Sequence, residues 1–274
     1  MIKEALSFDD KDIELLKKTW RGMRIYSYYK AYGIGYDFCR FYRYEHSGGG
    51  KGIILIINAT MEGYFTGSVD PEEIAWFITL NVPFRVQISG YVVEMLKNYM
   101  GEGKILGNDY RRLRRTMFEI SDQTPSENFR ESDVEMNPSL DDVYKILSEG
   151  FPNILDYPLW LTDTSHRCRH GVSHIMTYKN ATTATIMFDI DDNVLVGEVA
   201  TSAESRGLGY ARDYLKWLGG FLRKFHKRAV LYALDIRVSF YREIGFREIE
   251  HEYVLERIEA EKDDFTKGEL ETNV

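Results

Sequence analysis

The chain has 274 residues, of which 44% are hydrophobic and 14% aromatic, so it can bury a large core. Its 35 basic and 43 acidic residues give a formal charge of −8, which argues against a general nucleic-acid binder. The two cysteines, Cys39 and Cys168, provide neither a disulfide framework nor the ligand spacing of a metal site. The N-terminus lacks a secretory signal, and no apolar stretch reaches the ~18–20 residues of a transmembrane helix, so we expect a cytoplasmic location.

Residues 1–145 predict alternating helices and strands. An apolar stripe over residues 10–29 indicates a helix, and two strand-like runs around a glycine-rich turn at residues 48–52 indicate a hairpin. That turn is followed by a strand, whereas a nucleotide loop of the Walker type needs a helix there. Asp70 and Pro71 are typical of a helix start. We see no catalytic constellation in this half.

The chain is predicted to form two domains, 1–145 and 150–258, with a polar linker over residues 121–138. Residues 259–274 form a polar tail without a periodic pattern of apolar residues, which predicts disorder. The basic run at residues 111–115 is more typical of the solvated face of a strand than of a phosphate-binding face.

An unusual cluster of histidines and arginines occupies Ser165–His174. In an extended strand, His166, Cys168 and His170 would share one side, although the segment could equally be a loop. A metal site is one possibility, but no fourth ligand cluster lies elsewhere, so the pattern favours a structural or substrate-facing segment. We expect it to line or abut a cleft between the two domains.

The C-terminal half predicts an antiparallel meander of strands over residues 175–178, 182–190 and 194–201. Two closely spaced glycines, Gly207 and Gly209, then lead into a helix. Because the start of a helix leaves N–H groups unpaired and attracts negative charge, this turn is suited to bind phosphate.

That helix covers residues 211–225 and has a wide apolar arc, which predicts burial against a sheet on one side and more protein on another. Gly219 and Gly220 inside it predict close packing or a bend. A strand over 229–234, a short helix over 238–244 and a last strand region over 246–257 follow.

This order of elements and two short motifs resemble the GNAT superfamily of acyl-CoA-dependent N-acyltransferases. The family's pyrophosphate loop reads [QR]-x-x-G-x-[GA], and residues 204–209 read E-S-R-G-L-G. The family's later aromatic-Tyr-x-x-x-Gly-Phe run is matched by Phe240, Tyr241, Gly245 and Phe246. The resemblance covers about residues 160–255, and residues 1–145 look like a degenerate, non-catalytic copy.

The resemblance implies a mixed α/β (α+β) fold, in which a central, mostly antiparallel mixed sheet is flanked by helices beside a second α/β domain. It also implies transfer of an acetyl group from acetyl-CoA to an amine by direct attack, with no metal. Tyr241 would be the general acid, and Glu198 would contact the amine. The alternatives are a packing role for Tyr241 and a surface position for Glu198. The resemblance places the cosubstrate at Val199, Thr201, Arg206, Gly207, Leu208, Gly209, Tyr210 and Ala211.

Glu204 departs from the family pattern, since it puts a negative charge where Gln or Arg is usual. This departure leaves open a non-catalytic CoA-binding or regulatory module. Transfer of a longer acyl group is a further alternative. The acceptor is expected to be a small-molecule or peptide amine, with neither nucleic acid nor membrane as a partner.

Overall fold

The computed structural model describes residues 1–151 and 154–258, so the predicted disorder of the tail lies outside the described residues. The elements from the first half of the chain are β1 (Ile2–Glu4), α1 (Asp10–Leu16), α2 (Trp20–Tyr32), β2 (Cys39–Glu45), β3 (Lys51–Ile57), β4 (Thr60–Thr66), α3 (Pro71–Asn81), β5 (Arg85–Ile88), α4 (Gly90–Leu96), β6 (Tyr110–Glu119) and β7 (Val134–Glu135). The elements from the second half are α5 (Leu140–Gly150), α6 (Tyr157–Arg169), β8 (His174–Tyr178), β9 (Thr182–Ile190), β10 (Asn193–Thr201), α7 (Tyr210–Lys224), β11 (Arg228–Leu234), α8 (Asp235–Glu243) and β12 (Arg247–Arg257). Short 3₁₀ helices lie at Lys97–Tyr99, Glu131–Asp133 and Ala203–Ser205.

The described strands form one mixed sheet of 12 in the order β1-β2-β3-β4-β5-β12-β6-β11-β10-β9-β8-β7. Most neighbours are antiparallel, and the parallel pairs are β4 with β5 and β10 with β11. The predicted meander of β8, β9 and β10 is present. The predicted fold class, a mostly antiparallel mixed sheet flanked by helices, is confirmed.

The middle of the sheet is built by an exchange of strands between the two halves of the sequence. Strand β12, the last of the described strands, pairs with β5 of the first half, with Leu255 opposite Val86. Strand β6 pairs with β11 of the second half, with Phe118 opposite Leu231. Each half is therefore completed by a strand from the other. The division into two domains stays a prediction.

Helix starts follow the local sequence. Asp9 and Asp12 form a reciprocal cap at the start of α1. At α3, the Asp70 carboxylate accepts from the N–H groups of Glu72 and Glu73, and Pro71 occupies the first turn. The predicted helix start at Asp70 is confirmed.

Helix α7 covers one face of the C-terminal strands, and helix α2 packs on the other face. The face under α7 has a core that includes Leu215, Leu218 and Phe118. Helix α2 packs against β3 and β4 of the first half and against β9 of the second. Residues of both halves, such as Ile25 and Phe188, therefore share one core on that face.

Gly219 allows α7 to lie very close to the chain that leaves β6. A Cβ atom at this position would lie 2.5 Å from the carbonyl oxygen of Ser121, which is far inside van der Waals contact. Gly219 therefore marks close packing, one of the two outcomes that the sequence predicts for this pair of glycines.

The basic run on β6 is only partly a solvated face. The Arg111 guanidinium pairs with Glu256 at 2.7 Å, and its side chain is 58% exposed. The Arg115 side chain is only 13% exposed and pairs with Glu252, so the prediction of a solvated position is wrong there. Buried arginines need such carboxylate partners because an unpaired buried charge is very costly.

Within residues 1–151 and 154–258, none of the helices has both the length and the apolar character needed to cross a bilayer.

We predict that Phe118→Ala destabilises both halves together. The Phe118 ring belongs to the first half of the sequence, is fully buried in the core under α7 and lies 5.4 Å from the ring of Tyr241. Its loss is expected to lower the free energy of unfolding by about 3–5 kcal/mol, in a single urea transition followed by circular dichroism. The control is Phe225→Ala, whose ring is 58% exposed, and a change within about 0.5 kcal/mol is expected. Two separate transitions in Phe118→Ala would contradict shared stability.

Candidate active site

Strands β10 and β11 separate about halfway along their length. Their parallel register runs from Asn193 opposite Arg228 to Val196 opposite Leu231, and ends there. Both strands continue, β10 to Thr201 and β11 to Leu234. The result is an opening between two adjacent strands, with backbone on both of its sides.

A bulge in β10 lies at the start of this opening. The register with β9 shifts between Gly197 and Ala200, so Glu198 and Val199 have no partner residue on that side. Glu198 has a φ of +50°, which is uncommon for a residue other than glycine. Bulges redirect side chains, and this one turns Glu198 out of the regular alternation of the strand.

The Glu198 carboxylate is held by buried neighbours. Its Oε2 atom accepts a hydrogen bond from the Thr185 hydroxyl at 2.7 Å. Burial raises the pKa of this carboxyl above its ordinary value, and the Thr185 hydrogen bond and the Arg167 charge oppose that rise. The Trp160 indole N–H, which has no hydrogen-bond partner among the described residues, also lowers this pKa. A carboxyl with a raised pKa is suited to accept a proton near neutral pH.

The glycine loop lies beyond the end of β10 and leads into α7. Gly207 and Gly209 have φ of +83° and +82°, and ideal Cβ atoms at both positions would meet nothing within 4 Å. Gly209 is the N-cap of α7 and provides no side-chain hydrogen bond. Among the described residues, the backbone N–H groups of Gly207, Gly209, Tyr210 and Ala211 have no hydrogen-bond acceptor. The loop thus presents several free donors at a helix N-terminus.

Arg206 and Leu208 have a different role in this loop. The N–H of Arg206 donates to Ala203 at 3.3 Å, and the N–H of Leu208 donates to Ser205 at 3.4 Å. The Arg206 guanidinium donates to the carbonyl oxygens of Thr201 and Glu149. These bonds fix the loop against the end of α5, so the shape of the loop depends on Arg206.

Tyr241 lies on α8, on the α7 side of the sheet. It is 7% exposed, and its hydroxyl makes no hydrogen bond with the described residues. Burial raises the pKa of Tyr241 to about 12, with the Arg237 charge opposing the rise. The phenol therefore stays protonated well above neutral pH.

Val199 and Thr201 lie on the stretch of β10 that borders the opening. Val199 packs partly against the core under α7. Thr201 stays in register with Thr182 of β9, and their hydroxyls are 2.9 Å apart. The edge of β10 that faces β11 has no strand partner at either residue.

The corresponding places in the first half are filled by the chain itself. Strands β4 and β5 are the other parallel pair, ending with Gly63 opposite Ile88. Beyond it, the Ser89 hydroxyl accepts from the N–H of Phe65 at 2.9 Å, which closes the gap. The Asp70 carboxylate occupies the N-terminus of α3, where α7 has only glycine.

The histidine-rich segment is mostly the end of helix α6, so the expectation of a strand or loop is wrong. The rings of His166 and His170, one helical turn apart, stack at 4.1 Å. His166 Nε2 is 2.8 Å from the carbonyl oxygen of Ala31, and its ring stacks on Tyr32 at 4.4 Å. The segment therefore abuts α2 of the first half, whereas its place beside a cleft between two domains stays a prediction. Within the described residues, no group of three or more His, Cys, Asp or Glu side chains is arranged to hold a metal.

Two surface pockets of the described chain lie away from this site, at the C-terminal end of α7. One measures about 360 Å³ and is lined by residues that include Phe225 and Lys227. The other measures about 430 Å³ and is lined by residues that include Arg223 and Arg228. Neither is lined by the glycine loop or by Glu198, so the candidate site rests on the opening and the free donors.

Sequence reasoning missed the residues that surround Glu198. Thr185 lies on a strand that was predicted, but nothing in the sequence marks its hydroxyl. Asp163 and Arg167 are four residues apart on α6, and their charged atoms lie 3.9 Å apart. That spacing is a recognisable ion-pair signal only if the segment is first recognised as a helix.

The sequence matches no known family model and no curated protein. Solved structures do match. A protein from Drosophila aligns at 10% identity over 94% of this chain and 98% of its own, with a TM-score of 0.60. A GCN5-related N-acetyltransferase-like protein from Streptococcus suis aligns at 12% identity over 90% and 98%, with a TM-score of 0.54. A GNAT-family acetyltransferase from Colwellia psychrerythraea aligns at 12% identity over 94% and 99%, with a TM-score of 0.53.

These likenesses cover almost the whole chain and show its fold, which is that of the GNAT acyl-CoA N-acyltransferases. Several of the solved structures that match are described as GNAT-family or GCN5-related acetyltransferases, which supports this likeness in fold.

We predict that Gly209→Ala costs about 1–2 kcal/mol of stability, because a Cβ is strained at a φ of +82° even where space is open. Gly90→Ala is the control, since Gly90 also has open space at the start of a helix but lacks a positive φ. It is expected to be neutral or stabilising by up to ~1 kcal/mol. Urea denaturation of both variants measures the difference, and equal effects would contradict the described loop conformation.

Proposed function

We propose that the protein is an acyl-CoA-dependent N-acyltransferase that moves an acetyl group from acetyl-CoA to an amine. The observation that supports it most is the succession of an opening between two parallel strands and an uncapped helix N-terminus at its end. The fold alone is compatible with other activities. The chemistry rests on the groups gathered at this opening.

The donor groups of the loop fit the pyrophosphate of CoA. The free N–H groups of Gly207, Gly209, Tyr210 and Ala211 would bind its oxygens, and the missing side chains at the two glycines leave room for it. The unpaired edge of β10 at Val199 and Thr201 would bind the pantetheine amides as an added strand. When bound, acetyl-CoA supplies an activated acyl group. Glu204 is exposed on the loop, and the fixed Arg206 side chain does not neutralise it directly.

Two residues would move protons at the opening. Glu198 would accept the proton from the incoming ammonium, since burial raises the pKa of its carboxyl toward neutrality. Tyr241 would donate a proton to the leaving sulfur, since its hydroxyl is protonated and has no partner among the described residues. Glu198 lies on β10, which borders the opening, and Tyr241 lies on α8, which packs against β11 and β6.

The first half is proposed to be non-catalytic. Its own parallel strand pair is closed by Ser89, and its helix N-terminus is capped by the Asp70 carboxylate. A negative side chain in that place would repel a phosphate. The acceptor is proposed to be a small-molecule or peptide amine that enters beside Glu198.

We predict that the protein binds acetyl-CoA in calorimetry and that Gly207→Glu abolishes the binding, because a carboxylate would occupy the phosphate position. The matched control is Gly171→Glu, which also changes a glycine of positive φ with open space around it, away from the loop. It should bind acetyl-CoA like the wild type. Absence of wild-type binding at millimolar ligand would refute the proposal. Binding without CoA release on any amine of a broad panel would leave a CoA-binding regulatory module instead.

We predict that the rate with a reactive amine falls as the pH drops below the raised pKa of Glu198, because protonation removes the base. Glu198→Gln should abolish this fall in rate at low pH, the acidic limb of the pH–rate profile, and lower kcat/KM by about 100-fold. Tyr241→Phe should keep the limb and lower kcat by about 10- to 100-fold. Glu14→Gln, at an exposed position of α1, is the control and should match the wild type. An unchanged limb in Glu198→Gln would exclude Glu198 as the base.

A further inference from the structure

The Arg167 guanidinium of α6 lies buried between strand β9 and helix α2 of the first half. The residue is 4% exposed. Its Nη2 atom donates to the carbonyl oxygen of Met187 on β9, and its Nη1 atom lies 3.9 Å from the Asp163 carboxylate. The guanidinium also lies over the ring of Tyr28, at 4.6 Å from its centre. A buried cation needs such partners, and here they come from both halves.

This cation is anchored next to the strand segment that holds Glu198. Met187 is two residues from Thr185, whose hydroxyl donates to the Glu198 carboxylate at 2.7 Å. Arg167 lowers the pKa of that carboxyl, whereas Asp163 raises it. The carboxylate is therefore influenced by two opposite charges on consecutive turns of α6.

Helix α2 of the first half fixes both charges. The Tyr32 hydroxyl donates to Asp163 Oδ1 at 2.6 Å, and the Tyr28 ring covers the Arg167 guanidinium. His166, between them on α6, is 2.8 Å from the backbone of α2 at Ala31. The positions of these two charges therefore depend on contacts between α6 and helix α2 of the first half.

Resting on the proposed function, we propose that Arg167 is a positioning residue, which α2 holds against β9. There its positive charge favours the anionic form of Glu198 at the opening, and the negative charge of Asp163 favours the neutral form. The first half then takes part in the reaction through the balance of these two charges, without touching the substrate.

The other groups that face Glu198 do not supply a competing charge. On α6, burial raises the pKa of the Cys168 thiol, which stays neutral at physiological pH. On β9, Thr185 is uncharged, and on α2 the groups that face the pair, Tyr28 and Tyr32, have raised pKa values through burial. Arg167 and Asp163 are therefore the two charged residues to substitute in a test.

The test compares Arg167→Met with Asp163→Asn. Arg167→Met removes the cation, so the midpoint of the Glu198 titration should move up by about one pH unit. Asp163→Asn removes the opposing anion, so the midpoint should move down. Arg167→Lys keeps the charge and should return the midpoint toward the wild type. The midpoint is read from carbon NMR of glutamate-labelled protein, with Glu198→Gln for assignment, and from the acidic limb of kcat/KM.

Opposite shifts in the two variants support the proposal, since a merely structural role would not move the midpoint in two directions. Shifts of the same sign, or none, overturn it. The double variant Asp163→Asn/Arg167→Met removes both charges and gives a further test if Arg167→Met alone does not fold. A midpoint between those of the single variants is expected. The control is Arg169→Met on the same helix, which is exposed and should leave the midpoint unchanged. A wild type without turnover would refute the proposed function, while the NMR midpoints would still decide this inference.

Discussion

Strand β10 can pair with β11 over only the first half of its length. A backbone that loses its neighbour must find other hydrogen-bond partners, or leave its polar groups to solvent or a ligand. Here the bulge at Glu198 and Val199 turns the strand aside, and the glycine loop carries the chain directly into α7. The opening and the free donors of the loop both depend on this single separation.

The two halves meet the same constraint in different ways. In the first half, Ser89 and Asp70 supply the missing partners, so the strand pair and the helix are complete in themselves. In the second half, no such side chain is provided, and Gly207 and Gly209 leave the space clear. The same arrangement of strands and helix is thus closed in one half and open in the other, because only the first half supplies its own acceptors.

Most elements of the C-terminal half could be predicted, because their apolar runs and turn residues have a clear period. The strands at 182–190 and 194–201 and the helix after Gly209 appear close to their expected bounds. Helix α6 could not be predicted in this way, since Arg167 is a charged residue on its buried face. Its burial depends on Tyr28 and Asp163, and contacts between distant parts of the chain leave no local pattern.

The candidate site was predictable to a similar degree. The loop glycines, Tyr241 and Glu198 could be named from two motifs and a strand, but the environment of Glu198 could not. The role of the Arg206 side chain as an anchor to the end of α5 also required the structure, since Glu149 is 57 positions away in sequence. The exchange of β6 and β12 between the two halves could not be predicted from the sequence, because the paired strands are far apart in it.

The exchange has a consequence for the order in which the protein can be completed on the ribosome. Strand β5 has its neighbour β12 only after residues Arg247–Arg257 have been made. At synthesis rates of about 5–20 residues per second, β5 would wait roughly 10 to 30 s with an unpaired edge. Such edges invite pairing with other chains. The nascent first half is therefore the stage at which this protein would most need protection by a chaperone.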